Sequence, residues 1–168
     1  MDIYKKLLYS IDQSITSTFS SIYKTMTNVD IHEVSLPNLN DFKRNYSTTM
    51  GLNGTISVDS KKIPLKGSVI ITWEMNGYIK MAGMMMGETY TEYTSDIDDI
   101  GMEILNTTVG NAKVKLNELG VQIQMSLPTG FISLEKIGEI GKNVFSAIHV
   151  FHSDAGKICL IVNCLIDE

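Results

Sequence analysis

Apolar side chains at Ile3, Leu7, Ile11, Ile15, Phe19, Ile22 and Met26 return every three or four residues. Only an α-helix gathers that period onto one continuous face. Lys5, Lys6, Asp12, Gln13 and Ser17 fill the other faces, and the pattern fades by Asn28. A helix of this kind draws its stability from laying its stripe on another apolar surface rather than from its own propensity. The rest of the chain must therefore supply a partner layer.

That layer reads mainly as β-structure. Val29 to Asn45, with Pro37, Asn38 and Asn40, reads as a connecting loop with room for a short strand. Tyr46–Met50 leads into Gly51-Leu52-Asn53-Gly54, a predicted turn, and Thr55–Val58 resumes in extended style. Asp59-Ser60-Lys61-Lys62 predicts a second turn, and Ser68–Met75, rich in β-branched residues and carrying Trp73, a strong strand. Asn76–Gly87 fits a short helix whose methionines read better as packing under a sheet than as a plastic binding surface. A second long helix opens with Ser95 and Asp98 as a capping pair and stops at Gly120. Val121–Leu127 alternates as a half-buried strand, with Pro128-Thr129-Gly130 as its stop and a glycine-spaced segment to Asn143. A hairpin closes the chain: Val144–His152, a turn at residues 153–156, and Lys157–Ile166. The expected class is α+β: a mostly antiparallel sheet packed against two long helices and one short helix, in a single domain over residues 1–168.

Composition narrows the function. The chain has 14 basic and 19 acidic side chains, a net charge of −5, and Arg44 as its only arginine. Guanidinium is the preferred group for bidentate phosphate and base-edge contacts, so nucleic acid is not an expected partner. Asp2 interrupts the amino terminus where a signal segment would begin, and the longest apolar run, Ile158–Ile166, is half a membrane span and contains Asn163. A soluble, cytoplasmic protein without membrane insertion is the expectation. Cys159 and Cys164 lie five apart in one predicted strand, project to opposite faces and cannot bridge there.

The second long helix carries the most information. Ile104, Leu105, Thr108, Ala112, Leu116 and Leu119 collect on one side, whereas Asp99, Glu103, Asn106 and Gly110 follow spacings of four, three and four on the opposite side. Glu103 and Asn106 are one axial step of ~4.5 Å apart and point the same way. Gly110 leaves a gap where another backbone can approach, at ~1 kcal/mol of helix stability relative to Ala. Acid and amide on an outer face are ordinarily solvated surface. From Met81 to Ala112, however, there are six acidic residues and no Lys or Arg, a field that attracts a cationic group and repels anionic small molecules.

Asp99-x3-Glu103-x2-Asn106, followed after twenty-one residues by Pro128, resembles the signature of the CheC/CheX/FliY family of bacterial chemotaxis phosphatases. The flanking residues resemble it too: Asn106-Thr-Thr-Val-Gly110-Asn-Ala-Lys113, Ser126-Leu-Pro128-Thr129, Gly51-Leu-Asn-Gly54, Lys66-Gly67-Ser68-Val69-Ile70 and Met84-Met-Met-Gly87. The similarity spans residues 46–166, with the amino-terminal helix (residues 1–28) also in the expected place. Glu-x2-Asn occurs once, as in the CheX branch, and Thr55–Leu65 departs from the family pattern as an extra stretch. The resemblance implies an enzyme that hydrolyses the aspartyl phosphate of a CheY-type response regulator. Asn106 would hold the attacking water and Glu103 would pair with the receiver's lysine. Asp99 would cap or orient the helix, and Pro128 would shape the adjoining loop. It also implies a homodimer with no cofactor of its own, the Mg2+ belonging to the receiver.

The rival reading is a non-catalytic dimeric adaptor that binds a receiver domain or a flagellar or signalling component, since fold does not fix function. Other chemistries have less to support them. His149, His152, Cys159 and Cys164 lie close in sequence, but a hairpin about residues 153–156 puts His149 and Cys159 on opposite faces, so no metal site is expected. Gly138-Glu-Ile-Gly141-Lys142 lacks the spacing and the following Ser/Thr of a phosphate loop. No Gly-x-Ser-x-Gly turn is present. The C-terminal strand, apolar on both faces, is a candidate for strand pairing with a partner or for deep burial.

Overall fold

The apolar stripe of the first segment forms helix α1 (Ile3–Thr27), opened by the Asp2 carboxylate and closed by Asn28 in the left-handed region at φ 56°. The computed structural model describes residues 2–35, 38–39, 42–133 and 144–166. After α1 come β1 (Ile31–Glu33), β2 (Asn45–Val58), β3 (Lys61–Glu74), α2 (Met75–Met86), α3 (Asp98–Glu118), β4 (Val121–Met125), β5 (Thr129–Ser133), β6 (Phe145–Ser153) and β7 (Gly156–Ile166). The strands form one antiparallel sheet in the order β1-β6-β7-β3-β2-β4, with β5 also on β2. The class is α+β, as the patterning predicts.

The helices cover one face of this sheet. Tyr46, Met50, Leu52 and Ile56 of β2, Val69, Ile71 and Trp73 of β3, and Leu160, Val162 and Cys164 of β7 meet Ile11, Ile15 and Phe19 of α1 and Ile104, Leu105 and Val109 of α3 in the main core. A smaller cluster on the other face joins Phe42 to Val150, Cys159 and Ile161. The two cysteines thus serve different faces as free thiols. Burial pushes both up to about 12. Among the described residues no helix is long and apolar enough to cross a membrane.

Several details of the fold differ from the sequence-based expectation. Gly51-Leu52-Asn53-Gly54 is not a turn. β2 runs unbroken and pairs with β3 from Asn45↔Glu74 to Val58↔Lys61. The glycine at 54 instead permits close strand approach, since a Cβ there would lie 2.0 Å from the Gln122 carbonyl oxygen. The chain reverses at Asp59-Ser60, whose φ values of 46° and 67° are those a two-residue hairpin turn requires. Thr55–Leu65 is therefore the far end of this hairpin and adds no separate strand.

Pro128-Thr129-Gly130 is likewise no terminus. β4 and β5 lie in line along β2, paired as Met125↔Leu52 and Thr129↔Thr49. Three residues, Ser126 to Pro128, face two on β2, which makes a bulge. Of the two alternatives for the C-terminal strand, deep burial is the one found: β7 is an interior strand with β3 and β6 on its two edges. The glycine-spaced segment begins within β5, and its remainder, residues 134–143 including Gly138–Lys142, lies outside the described residues.

A further difference is Asp12, which lies off the apolar stripe of α1 and is nevertheless buried. Its carboxylate lies 2.8 Å from His149 Nε2, and the other ring nitrogen, Nδ1, meets the Glu33 carboxylate. The Asp12 hydrogen bond, with a smaller contribution from Glu33, outweighs burial and raises His149 from 6.5 to about 9. The imidazolium ties α1 to β6 and β1. A group raised on folding stabilises fully below its unfolded pKa and loses that contribution as pH climbs through the folded one. The stability difference between wild type and Asp12→Asn should therefore shrink as pH rises from 6.5 to about 9. It starts from at most about 3 kcal/mol, and denaturant titrations across that range would measure it.

Candidate functional site

The site begins with an aromatic floor. Tyr46 of β2, Trp73 of β3 and Tyr78 of α2 pack beneath the start of α3, the two tyrosine rings stacked with centroids 4.0 Å apart. Aromatic stacking and ring burial fix these side chains, and their hydroxyls reach the helix backbone. Tyr46 Oη donates to the Asp98 carbonyl at 2.6 Å. Tyr78 Oη donates to the Ile97 carbonyl and accepts from the Gly101 N–H at 3.0 Å. Burial raises both phenols, Tyr46 to about 12, so they remain protonated donors.

This anchoring replaces the predicted cap. Ser95–Ile97 form a 3-10 turn ahead of α3, and no side chain caps the helix at Ile97. The first-turn acids Asp98 and Asp99 do sit where the helix dipole favours negative charge. Burial, followed by the Asp99 carboxylate, pushes the Asp98 carboxyl above its usual range. Gly101 faces the floor: a Cβ there would meet Tyr46 Cε1 at 2.7 Å, Tyr78 Cε2 at 3.1 Å and Trp73 Cζ3 at 3.2 Å. The sequence carries only a weak sign of this arrangement, a glycine interior to a helical pattern.

Everything the floor fixes is presented above it. Ile104, Leu105, Thr108, Val109, Ala112 and Leu116 are buried, while Leu119, predicted apolar-side, is 40% exposed just past the helix end. Asp99, Glu103 and Asn106 are exposed. Glu103 Oε1 accepts a hydrogen bond from Thr107 Oγ1 at 3.3 Å, leaving its second oxygen to solvent. The Asn106 carboxamide makes no side-chain hydrogen bond among the described residues, so both its donor and its acceptor are available. Gly110 is half-exposed, and a Cβ there would meet no neighbouring atom within 4 Å. Pro128 is not on the helix; it sits half-buried in the β4–β5 bulge.

The flanks of α3 differ. On one side Lys115 Nζ reaches Ser17 of α1 at 3.5 Å. On the other, Lys113 and Asn117 border an open groove of about 740 Å³ with Asn53, Gln122 and Gln124. Asn106, Gly110, Lys113 and Asn117 share that side by helical spacing. An acid and an uncharged amide are thus held rigidly on an exposed ridge that another protein can reach. Such a ridge suits insertion into a partner's site better than capture of a small substrate.

A family model described as chemotaxis phosphatase CheX matches residues 48–136. The chain belongs to the CheX family. The matched stretch includes Asp99, Glu103, Asn106, Gly110 and Pro128. No curated protein matches the sequence, but solved structures share the fold. A CheC-like protein from Shewanella sp. PV-4 aligns with a TM-score of 0.76 at 20% identity, over 98% of this chain and 99% of its own. CheX from Vibrio vulnificus gives a TM-score of 0.71 at 19% identity, over 92% and 96% of the two chains. A chain of the CheX–CheY–BeF3–Mg2+ complex from Borrelia burgdorferi gives 0.68 at 20% identity, over 93% and 97%.

In this CheX-family chain the two helical glycines should behave in opposite ways. Gly101→Ala drives a methyl into three packed rings and should destabilise by about 1–3 kcal/mol. Gly110→Ala meets open space and should gain up to about 1 kcal/mol from helix propensity. Thermal unfolding of the two variants checks both signs.

Proposed function

We propose that this protein hydrolyses the aspartyl phosphate of a CheY-type response regulator, with Asn106 positioning the water and Glu103 docking to the receiver. The observation that carries the reading is the exposed Glu103–Asn106 pair, one step apart on a helix whose first turn is pinned from beneath. Membership of a family of chemotaxis phosphatases supports it, as does the Borrelia burgdorferi relative found in complex with CheY, BeF3 and Mg2+.

The chemistry asks little of the protein. Water attacks phosphorus, the bond to the aspartate oxygen breaks, and carboxylate and inorganic phosphate leave. An acyl phosphate already has a good leaving group, so the barrier depends on alignment of the nucleophile and on electrostatics. The Asn106 amide can accept from and donate to the water while staying uncharged. A carboxylate in its place would repel the developing phosphoryl charge. Glu103, one step away, offers its free oxygen to the receiver's phosphate-binding lysine and sets the register. Mg2+ enters with the receiver and is not held by this chain.

Asn106→Ala should lower the saturated rate of phosphate release by about 10²–10³-fold while leaving the fold and receiver affinity intact. Stopped-flow phosphate release with receivers phosphorylated by a small-molecule donor measures it; a wild-type rate would remove Asn106 from the reaction. Glu103→Ala should chiefly raise KM, and unchanged affinity and rate would exclude the ion pair. A wild-type protein that binds the phosphorylated receiver without accelerating release would be an adaptor.

A further inference from the structure

The β4–β5 bulge carries an exposed apolar side chain on the strand that follows α3. Leu127 is 89% exposed, more than any other large apolar residue described. A single exposed leucine is normally plain surface, but this one is held in place by its neighbours. The Ser126 N–H donates to the Gly51 carbonyl at 3.0 Å. The Gly51 N–H donates to Ser126 Oγ at 2.8 Å, so a side chain takes the place of a strand carbonyl. Pro128 has no N–H to leave unpaired and holds the preceding residue extended, and pairing resumes at Thr129↔Thr49. Leu127 is fixed outward between two anchored points.

Its height along the sheet edge matches the reactive ridge. α3 and β4 form an αβ hairpin about Gly120, with φ of 75°. The six steps from Val121 to Leu127, along β4 and into the bulge, rise roughly 20 Å. The same distance back along α3 from Glu118 is about 13 residues, which is the level of Leu105 and Asn106. Tyr46 gives an independent check on this scale, because its hydroxyl bonds the Asp98 carbonyl and would also lie 2.3 Å from a Cβ on Gly130. By helical spacing Asn106 falls on the side of α3 that carries Lys113 and Asn117, and those two border the groove with Gln122 and Gln124 of β4.

We propose that Leu127 is an apolar docking contact for the phosphorylated receiver, so that the partner sits across α3 and the sheet edge together. The inference rests on the phosphatase reading above and adds the second half of the docking surface. A receiver whose active site takes Asn106 must lie over this side of α3. A receiver with an apolar patch next to its phosphorylation site would meet a preorganised leucine there, the kind of fixed anchor that dominates interface energetics.

The test uses the intact protein and CheY-type receivers encoded in the same genome, loaded with Mg2+ and beryllofluoride for affinity and phosphorylated for turnover. Leu127→Asp should raise Kd and KM about tenfold, with the rate at saturation within about twofold of wild type. Leu127→Met should restore most of the affinity. Met86→Asp, at an exposed position on α2, should match wild type, and none of the three should shift thermal unfolding appreciably. Wild-type Kd and KM in Leu127→Asp, alongside an inactive Asn106→Ala, would overturn the docking contact and leave the phosphatase reading standing. Full activity in Asn106→Ala would overturn that reading and the docking contact with it. Loss of self-association in Leu127→Asp with unchanged receiver affinity would assign Leu127 to a contact between two copies and overturn the proposal.

Discussion

Two tyrosine hydroxyls hold the first turn of α3. Tyr46 and Tyr78 come from different elements, β2 and α2, yet their rings stack and their oxygens reach successive carbonyls at Ile97 and Asp98. A helix start without a side-chain cap would otherwise leave its orientation to packing alone. Here the hydrogen bonds fix both the axial position and the rotation of the helix. Rotation matters most, because a turn of one residue's width would carry Asn106 from the open ridge toward the core. The glycine at 101 is the complement of this device: only a residue without Cβ lets the helix descend onto the rings.

The sheet supplies the rigidity beneath. β2 and β3 pair over fourteen residues without interruption, and β7 adds a third long strand fully enclosed by its neighbours. Distortion is confined to the outer edge, at Ser126–Pro128. At the opposite edge, the Asp12–His149–Glu33 cluster fastens α1 to β6 and β1. Breaking such a partly buried charged cluster leaves an uncompensated charge, which costs far more than its intact pairing contributes. The two long helices are thus secured by different chemistry, α1 by a charge cluster and α3 by neutral hydroxyls.

The proposed reaction fits a protein whose most distinctive residues are exposed on a helix. When the substrate brings its own leaving group, metal and lysine, the enzyme's task reduces to placing one amide and one acid. A convex ridge does this better than a cleft, because it can enter a site that already exists. The acidic, arginine-poor composition is consistent with that role: it favours a cationic receiver lysine and discourages free phosphates.

The sequence by itself determined the elements that rest on local periodicity. The stripe of α1, the two-faced pattern of α3, the C-terminal hairpin and the opposed cysteines were legible, because side-chain spacing maps directly onto the geometry of a helix or strand. The outward placement of Glu103 and Asn106 followed from the same arithmetic. Tertiary structure decided what depends on neighbours distant in the chain. Gly51 and Gly54 look like turn residues until Ser126 is seen against the first and β4 against the second, and Pro128 looks like a stop until β5 is seen continuing along β2. Asp12 looks like solvated surface until His149 arrives from 137 residues away. A glycine, a proline or an aspartate permits several local conformations, and its own spacing does not choose among them. The choice falls to contacts whose partners only the folded chain brings together.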